Sequence, residues 1–144
     1  HIRRDDGVTV YSAWLQDRRN AFNVILDPSA IEGKDLFLGL IAQTDMWMES
    51  SKPGTYSSWG LDDEMILQAN PGIVITHVSR YGQEGIPDYL GRASYDMTAP
   101  AFGRAMFLTG SPDCAPSVKG APFPADYMTA YFCRWSSLAA YISA

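Results

Sequence analysis

Apolar and polar positions change period several times along this chain, and each change marks an element. Val8 to Gln16 mixes aromatic and apolar residues, as in a short helix or an irregular packing segment. Asp17-Arg18-Arg19-Asn20 is polar and turn-like. Ala21-Phe22-Asn23-Val24-Ile25-Leu26 reads as a strand stopped by Asp27-Pro28. Ser29 then stands as an N-cap, with Glu32 as its capping-box partner. Leu36, Phe37, Leu38, Leu40 and Ile41 carry a helix to about Gln43. Met46-Trp47-Met48 is continuously apolar, the pattern of a strand buried on both faces. Asp62-Asp63-Glu64 opens a helix with acids suited to its dipole, and Asn70-Pro71-Gly72 closes it. Ile73 to Val78 reads as a second buried strand. Pro87 to Ser94 is irregular, Tyr95 to Leu108 helical despite Pro100, Thr109 to Pro124 a loop rich in Gly and Pro, and Asp126 to Ile142 a helix.

Strands alternating with helices predict parallel pairing and a doubly wound α/β sheet. Ligands of such sheets bind outside the carboxyl ends of the strands. The loops Ser50–Gly54 and Ser79–Gly82 therefore fall on one rim.

The 144 residues suffice for one domain with a real core, and 47% hydrophobic against 19% charged residues is a globular balance. The net charge of -5 disfavours non-specific nucleic-acid binding, although Arg3-Arg4, Arg18-Arg19, Lys52, Arg80 and Lys119 leave local positive sites. Cys114 and Cys133 lack metal-ligand spacing and read as free thiols of a reducing compartment. With no run of 18 apolar residues and no signal-peptide pattern, a soluble cytoplasmic protein is expected, with no membrane partner. The chain opens on a polar segment without an initiator Met and ends inside an apolar helical pattern, so a segment of a longer chain is expected.

There is no Walker loop, GxGxxG, HExxH or GxSxG, so kinase, dinucleotide and serine-hydrolase chemistry lack their parts. His77, in an apolar strand, reads as core or rim packing rather than a catalytic base. Asp126 is the one carboxylate between the loop Lys119-Gly120-Ala121-Pro122-Phe123-Pro124-Ala125 and the chain end, where Arg134 is the only base. An acid at a helix head either caps free N–H groups or is held ionised there as a nucleophile, and the residues alone leave both open.

Five stretches in register make a larger pattern. Glu49-Ser50-Ser51-Lys52-Pro53-Gly54 resembles the E-N-F-R-P-G loop of class III CoA-transferases. Asn70-Pro71-Gly72-Ile73-Val74-Ile75 is similar to their N-P-x-L-I-x strand, and Ser79-Arg80-Tyr81-Gly82-Gln83 to their S-G-F-G-Q. Ser94-Tyr95-Asp96 looks like G-Y-D, and Pro122-Phe123-Pro124-Ala125-Asp126-Tyr127 like the segment bearing the family's aspartate nucleophile. The agreement runs from about Arg18 to the end, and Arg18-Arg19-Asn20 with Glu49 to Lys52 looks most like the L-carnitine CoA-transferase branch.

The resemblance implies a Rossmann-like large domain, with two chains interlocked like rings in a homodimer. Residues 1–144 would be part of that domain, lacking its first strand–helix unit, the small domain with its Gly-rich loop, and the C-terminal return. It implies transfer of CoA from an acyl-CoA to a small carboxylic acid, such as carnitine or crotonobetaine, with CoA as substrate, no permanently bound cofactor and no metal. Asp126 would be the nucleophile, with backbone N–H groups at the head of its helix helping to hold it ionised. Lys52 and Arg80 would meet CoA phosphates, Tyr81 and Trp59 would stack on or wall the nucleotide and pantetheine, Leu26 would neighbour the adenine, and Ser51 and Thr55 would complete the CoA contacts. The chain departs from the family in lacking an Arg near Ser58 or Trp59, in carrying Arg80 for a Gly, and in Ala130 for a Gly after the nucleophile. Two other readings are an acyl-CoA racemase, whose relatives carry a His where Tyr95 stands, and a non-catalytic CoA-binding subunit. A Tyr, with an ordinary pKa of about 10, makes a poor base for racemisation.

Overall fold

The computed structural model describes residues 2–115 and 123–143. Two short strands, β1 (Ile2–Arg3) and β2 (Thr9–Val10), pair antiparallel across a turn in which Gly7 takes φ 83°. Helix α1 (Ser12–Asp17) follows, so the segment from Val8 to Gln16 is split between strand and helix. The expected strand from Ala21 to Leu26 is not one. It has no regular structure, and Phe22 and Ile25 are fully exposed at 99% and 106%. Strand propensity needs a neighbouring strand to satisfy the backbone, and none of the described residues pairs with this stretch.

Helix α2 (Ile31–Ile41) begins without the expected Ser29 cap. Instead Asp27 Oδ1 accepts from both the backbone N–H and the hydroxyl of Ser29, a closed Asx-turn that spends the Ser29 side chain before the helix starts. Those bonds hold the Asp27 carboxyl below the usual carboxylate range. Gly33, buried in α2, lets the chain pass there: a Cβ would lie 1.8 Å from the Asp27 carbonyl oxygen.

The remaining elements are β3 (Met46–Glu49), α3 (Thr55–Ser58), α4 (Asp63–Ala69), β4 (Val74–His77), α5 (Pro87–Leu90), α6 (Thr98–Phe102) and α7 (Pro124–Ser143). Asp62 caps α4 by accepting from Met65 N–H at 2.9 Å. The helix expected from Tyr95 to Leu108 is cut to α6, because Gly103 is followed by Arg104 in a left-handed conformation, φ 64°. Pro100 is tolerated in the first turn, where no intrahelical donor is needed. The short α5 lies in the stretch expected to be irregular. Of the loop between Thr109 and Pro124, Pro116 to Pro122, including Lys119-Gly120-Ala121-Pro122, lies outside the described residues.

β3 and β4 pair in parallel, Met46 opposite Val74 through Glu49 opposite His77, with α3 and α4 in the crossover. The result is a mixed α/β fold around a small parallel sheet. Paired residues point to the same side, so the register sorts the neighbours. Trp47 and Ile75 join the core formed with Ile41, Leu61, Ile66 and Ile73, on the side of α2 and α4. Trp47 packs edge-on against Tyr56 at 4.8 Å and Phe37 at 5.6 Å. Met48 and Thr76 face the other way, where Thr76 Oγ1 meets the buried Ser137 Oγ of α7 at 2.6 Å. β3 is thus buried on one face only; Met48 remains 50% exposed, against the expectation of burial on both. Asn70 ties the ends together: its amide donates to the carbonyls of Ile41 and Thr44, and its Oδ1 accepts from Gly72 N–H. Full burial of Leu61 and Ile66, both 0% exposed, contributes about 1.5–3 kcal/mol each.

Candidate functional site at the strand ends

The loops after β3 and β4 leave the sheet side by side, because Val78 N–H still bonds the Glu49 carbonyl at 2.8 Å. The two sheet faces then open onto two different cavities.

On the α7 side, a cavity of about 510 Å³ brings together Ser50 and Ser79-Arg80 from the rim loops, Tyr95 and Asp96, and Asp126, Ala130 and Cys133 from one face of α7. Asp126 is exposed, and its carboxylate has no hydrogen bond or ion pair with any described residue. Arg80 is the cation of this cavity, its guanidinium at 6.0 Å from the Tyr95 ring centroid and without a carboxylate partner among the described residues. The head of α7 does not hold Asp126 as expected. The N–H groups of Ala125 and Asp126 both donate to Asp96 Oδ1, at 2.8 and 3.2 Å, so they are already occupied. Sequence reasoning noted Asp96 only within the Ser94-Tyr95-Asp96 stretch and missed this contact, which is 29–30 residues away.

On the α4 side, a second cavity of about 420 Å³ is lined by Glu49, Lys52, Thr55, Tyr56, Asp63 and His77. His77 Nδ1 lies 2.7 Å from Glu49 Oε1, and Nε2 lies 3.0 Å from Asp63 Oδ1. Burial works to lower the His77 pKa, but the hydrogen bond to Glu49 and the charge and hydrogen bond of Asp63 outweigh it, so the pKa is raised. Two carboxylates can both accept only if both ring nitrogens carry protons, so the imidazolium fits this clamp. Burial, then the Glu49 charge, push the Tyr56 phenol up. The second Glu49 oxygen accepts Ser51 N–H at 2.6 Å. His77 also packs edge-on against Trp47 at 5.9 Å, so it bridges the core and this cavity.

The structure therefore gathers Arg80 with Asp126, and separates Lys52 and Thr55 onto the other cavity. Ser51 folds back on Glu49. Trp59 packs edge-on against Tyr56 at 5.2 Å and belongs to the rim of the core. Tyr81 packs edge-on against Phe102 at 4.9 Å and tilted against Tyr89 at 5.6 Å. Leu26, half-buried in the irregular stretch, lines neither cavity. Among the described residues no group of three or more His, Cys, Asp and Glu side chains is placed to hold a metal ion, both cysteines are free, and no helix is long and apolar enough to cross a membrane.

Residues 3–144 match the model of CoA-transferase family III. The chain is 41% identical over 140 residues to the bile acid CoA-transferase BaiK of Clostridium scindens, covering 97% of this chain and 32% of that protein. It is 35% identical over 123 residues to the L-carnitine CoA-transferase of Proteus mirabilis, covering 85% of this chain and 30% of that protein. The fold superposes with a TM-score of 0.74 on the crystal structure of a CAIB/BAIF family protein from Brucella suis, at 31% identity, over 82% of this chain and 30% of that one. The chain thus spans about a third of the length of the relatives it matches. With the family model running almost from end to end, the chain belongs to CoA-transferase family III.

Proposed function

We propose that this chain is the part of a CoA-transferase that carries its nucleophile, and that the whole protein moves CoA from an acyl-CoA to a carboxylic acid. The observation that carries the reading is the Asp126 carboxylate: exposed, and in one cavity with Arg80, with no ionic partner for either charge among the described residues. A carboxylate and a cation that line one cavity without being paired to each other support a ligand-facing reading.

In this mechanism Asp126 attacks the thioester carbonyl, giving a mixed anhydride and releasing CoA thiolate. The thiolate attacks the aspartyl carbonyl of the anhydride, forming an aspartyl-CoA thioester and freeing the donor acid. The acceptor carboxylate attacks that thioester, again expelling thiolate. The thiolate then takes the new acyl group and Asp126 is regenerated. Each nucleophile is already an anion near neutral pH, so the site has to orient and to stabilise charge rather than remove protons. Arg80, in the cavity with Asp126, offers one contact for CoA phosphates, and Lys52 a second on the neighbouring cavity. The acid pair is best left at carboxylic acids in general, since similar relatives are named for a bile acid and for carnitine.

We further read the chain as a segment of a Rossmann-like large domain in an interlocked homodimer. The third-length coverage of the relatives supports the first part. The bare apolar side chains on α7, with Trp135 74% and Ile142 82% exposed, support the second. The test is Asp126→Ala in the whole protein. Transfer should fall at least about a thousandfold with the fold retained, because the variant has no atom to carry the acyl group. Turnover near wild type would remove the assignment.

A further inference from the structure

We propose that Asp96 is a positioning residue for Asp126, closing the head of α7 so that the Asp126 carboxylate stays in the cavity; this rests on the reading of Asp126 as nucleophile. A helix begins with N–H groups that have no partner inside it, and the residue before the first turn normally supplies one from its own side chain. Here that residue is Phe123, at φ 59°, whose side chain has no acceptor to offer. Pro124 has no N–H, and Tyr127 N–H bonds the Phe123 carbonyl at 3.1 Å. The two remaining donors, Ala125 N–H and Asp126 N–H, converge on Asp96 Oδ1. An acid thirty residues upstream thus does the work of the missing local cap.

Asp96 is itself held in place. Thr98 Oγ1 donates to the Tyr95 carbonyl at 2.8 Å and accepts Tyr95 N–H at 2.7 Å. With its only proton spent, the contact of Thr98 Oγ1 with buried Ser94 Oγ at 2.8 Å has Ser94 as donor. This hydroxyl network fixes the turn that aims Asp96 under α7.

The consequence concerns competition between two carboxylates. Asp126 sits in the first turn of α7, where an acid is drawn to bare N–H groups. While Asp96 occupies those groups, Asp126 is left free to meet the ligand. Remove Asp96, and the acid of the helix's own first turn, Asp126, is left to meet those donors. The loss then falls on the chemical step rather than on acyl-CoA binding, since the uncapped state withdraws the attacking atom.

The experiment uses the whole protein with Asp96→Ala, Asp96→Asn, Asp96→Glu and, as a control for losing a helix cap elsewhere, Asp62→Ala. Acylation of the Asp126 peptide in a single turnover is followed by mass spectrometry, alongside kcat, KM for acyl-CoA, and hydrogen exchange of the Ala125 and Asp126 amides. Asp96→Ala should slow acylation about tenfold or more with KM within about twofold, and expose both amides. Asp96→Asn keeps an oxygen acceptor and should restore acylation to within about threefold of wild type, while Asp96→Glu, one methylene too long, should not. Asp62→Ala should acylate as wild type. If Asp96→Ala fails to fold, the contrast between Asn and Glu decides. Acylation at the wild-type rate in Ala or Glu, or an Asn variant as slow as Glu, overturns the positioning role. Unprotected amides in the wild type overturn the cap itself. A wild type that forms no Asp126 adduct yet keeps both amides protected instead overturns the nucleophile assignment, and the role assigned to Asp96 falls with it.

Discussion

The two cavities at the ends of β3 and β4 are near neighbours in the fold and opposites in chemistry. On the α4 side the buried Glu49 serves both His77 and Ser51 N–H, and His77 is bonded at both nitrogens. On the α7 side the Asp126 carboxylate and the Arg80 guanidinium share a cavity and neither has an ionic partner among the described residues. Three titratable groups matched to one another, Glu49, His77 and Asp63, hold elements together: they tie β3, β4 and the start of α4. A carboxylate and a cation left unmatched, with the competing helix donors taken by Asp96, are instead available to something that arrives from outside.

The comparison breaks if the matched side turns out to govern chemistry. The largest effect is expected there, but on stability. Glu49→Ala leaves His77 without one acceptor and Ser51 N–H without its partner, and should cost about 3 kcal/mol, read as a lower denaturant midpoint with unchanged slope. Acylation of Asp126 per folded molecule should stay within about threefold. A large loss of acylation in folded Glu49→Ala would erase the distinction between the sides.

The unmatched side is tested through acyl-CoA binding. A charge-assisted contact contributes about 1.5–3 kcal/mol, so Arg80→Ala should raise the KM for acyl-CoA about tenfold or more with little change in turnover at saturation. Lys52→Ala, on the other cavity, should raise it by a smaller factor, and the dephospho-CoA thioester should abolish the sensitivity of whichever residue meets the 3′-phosphate. Unchanged KM in both variants would place the CoA phosphates on other segments.

The smallest expected effect concerns pH. The His77 pKa is raised in the fold, so its clamp contributes fully below the ordinary histidine value of about 6.5 and is lost as pH rises through the folded value. His77→Gln should therefore flatten the fall in melting temperature between about pH 5.5 and 8.5 by roughly 1–3 °C. An unaltered pH profile would mean the imidazolium does not hold these elements.

Much of this arrangement was legible in the sequence wherever local pattern and tertiary need agree. The runs at Met46–Met48 and Ile73–Val78 announced the parallel pair, Asp62 and Asp63-Glu64 the start of α4, and the rim loops followed from the strand ends. Reading failed where the decision is made elsewhere in space. Ala21 to Leu26 has a strand's composition but no described strand beside it. Ser29 lost its capping role to a turn around Asp27 two residues away. Met48 is apolar yet faces a cavity, so continuous hydrophobicity overstated its burial. Asp126 itself was legible as either cap or nucleophile. Asp96 was legible only as part of the Ser94-Tyr95-Asp96 stretch, and its bonds to the head of α7 were not, because those partners lie across the fold.

The central claim is that Asp126 carries the transferred group covalently. It is tested most directly by incubating the whole wild-type protein with an acyl-CoA, quenching with hydroxylamine, and mapping peptides by mass spectrometry. An anhydride or thioester on Asp126 should yield a hydroxamate at that residue, dependent on acyl-CoA and lost in Asp126→Ala. Acyl-CoA-dependent transfer with no hydroxamate at Asp126, or with the label on another side chain, would contradict it.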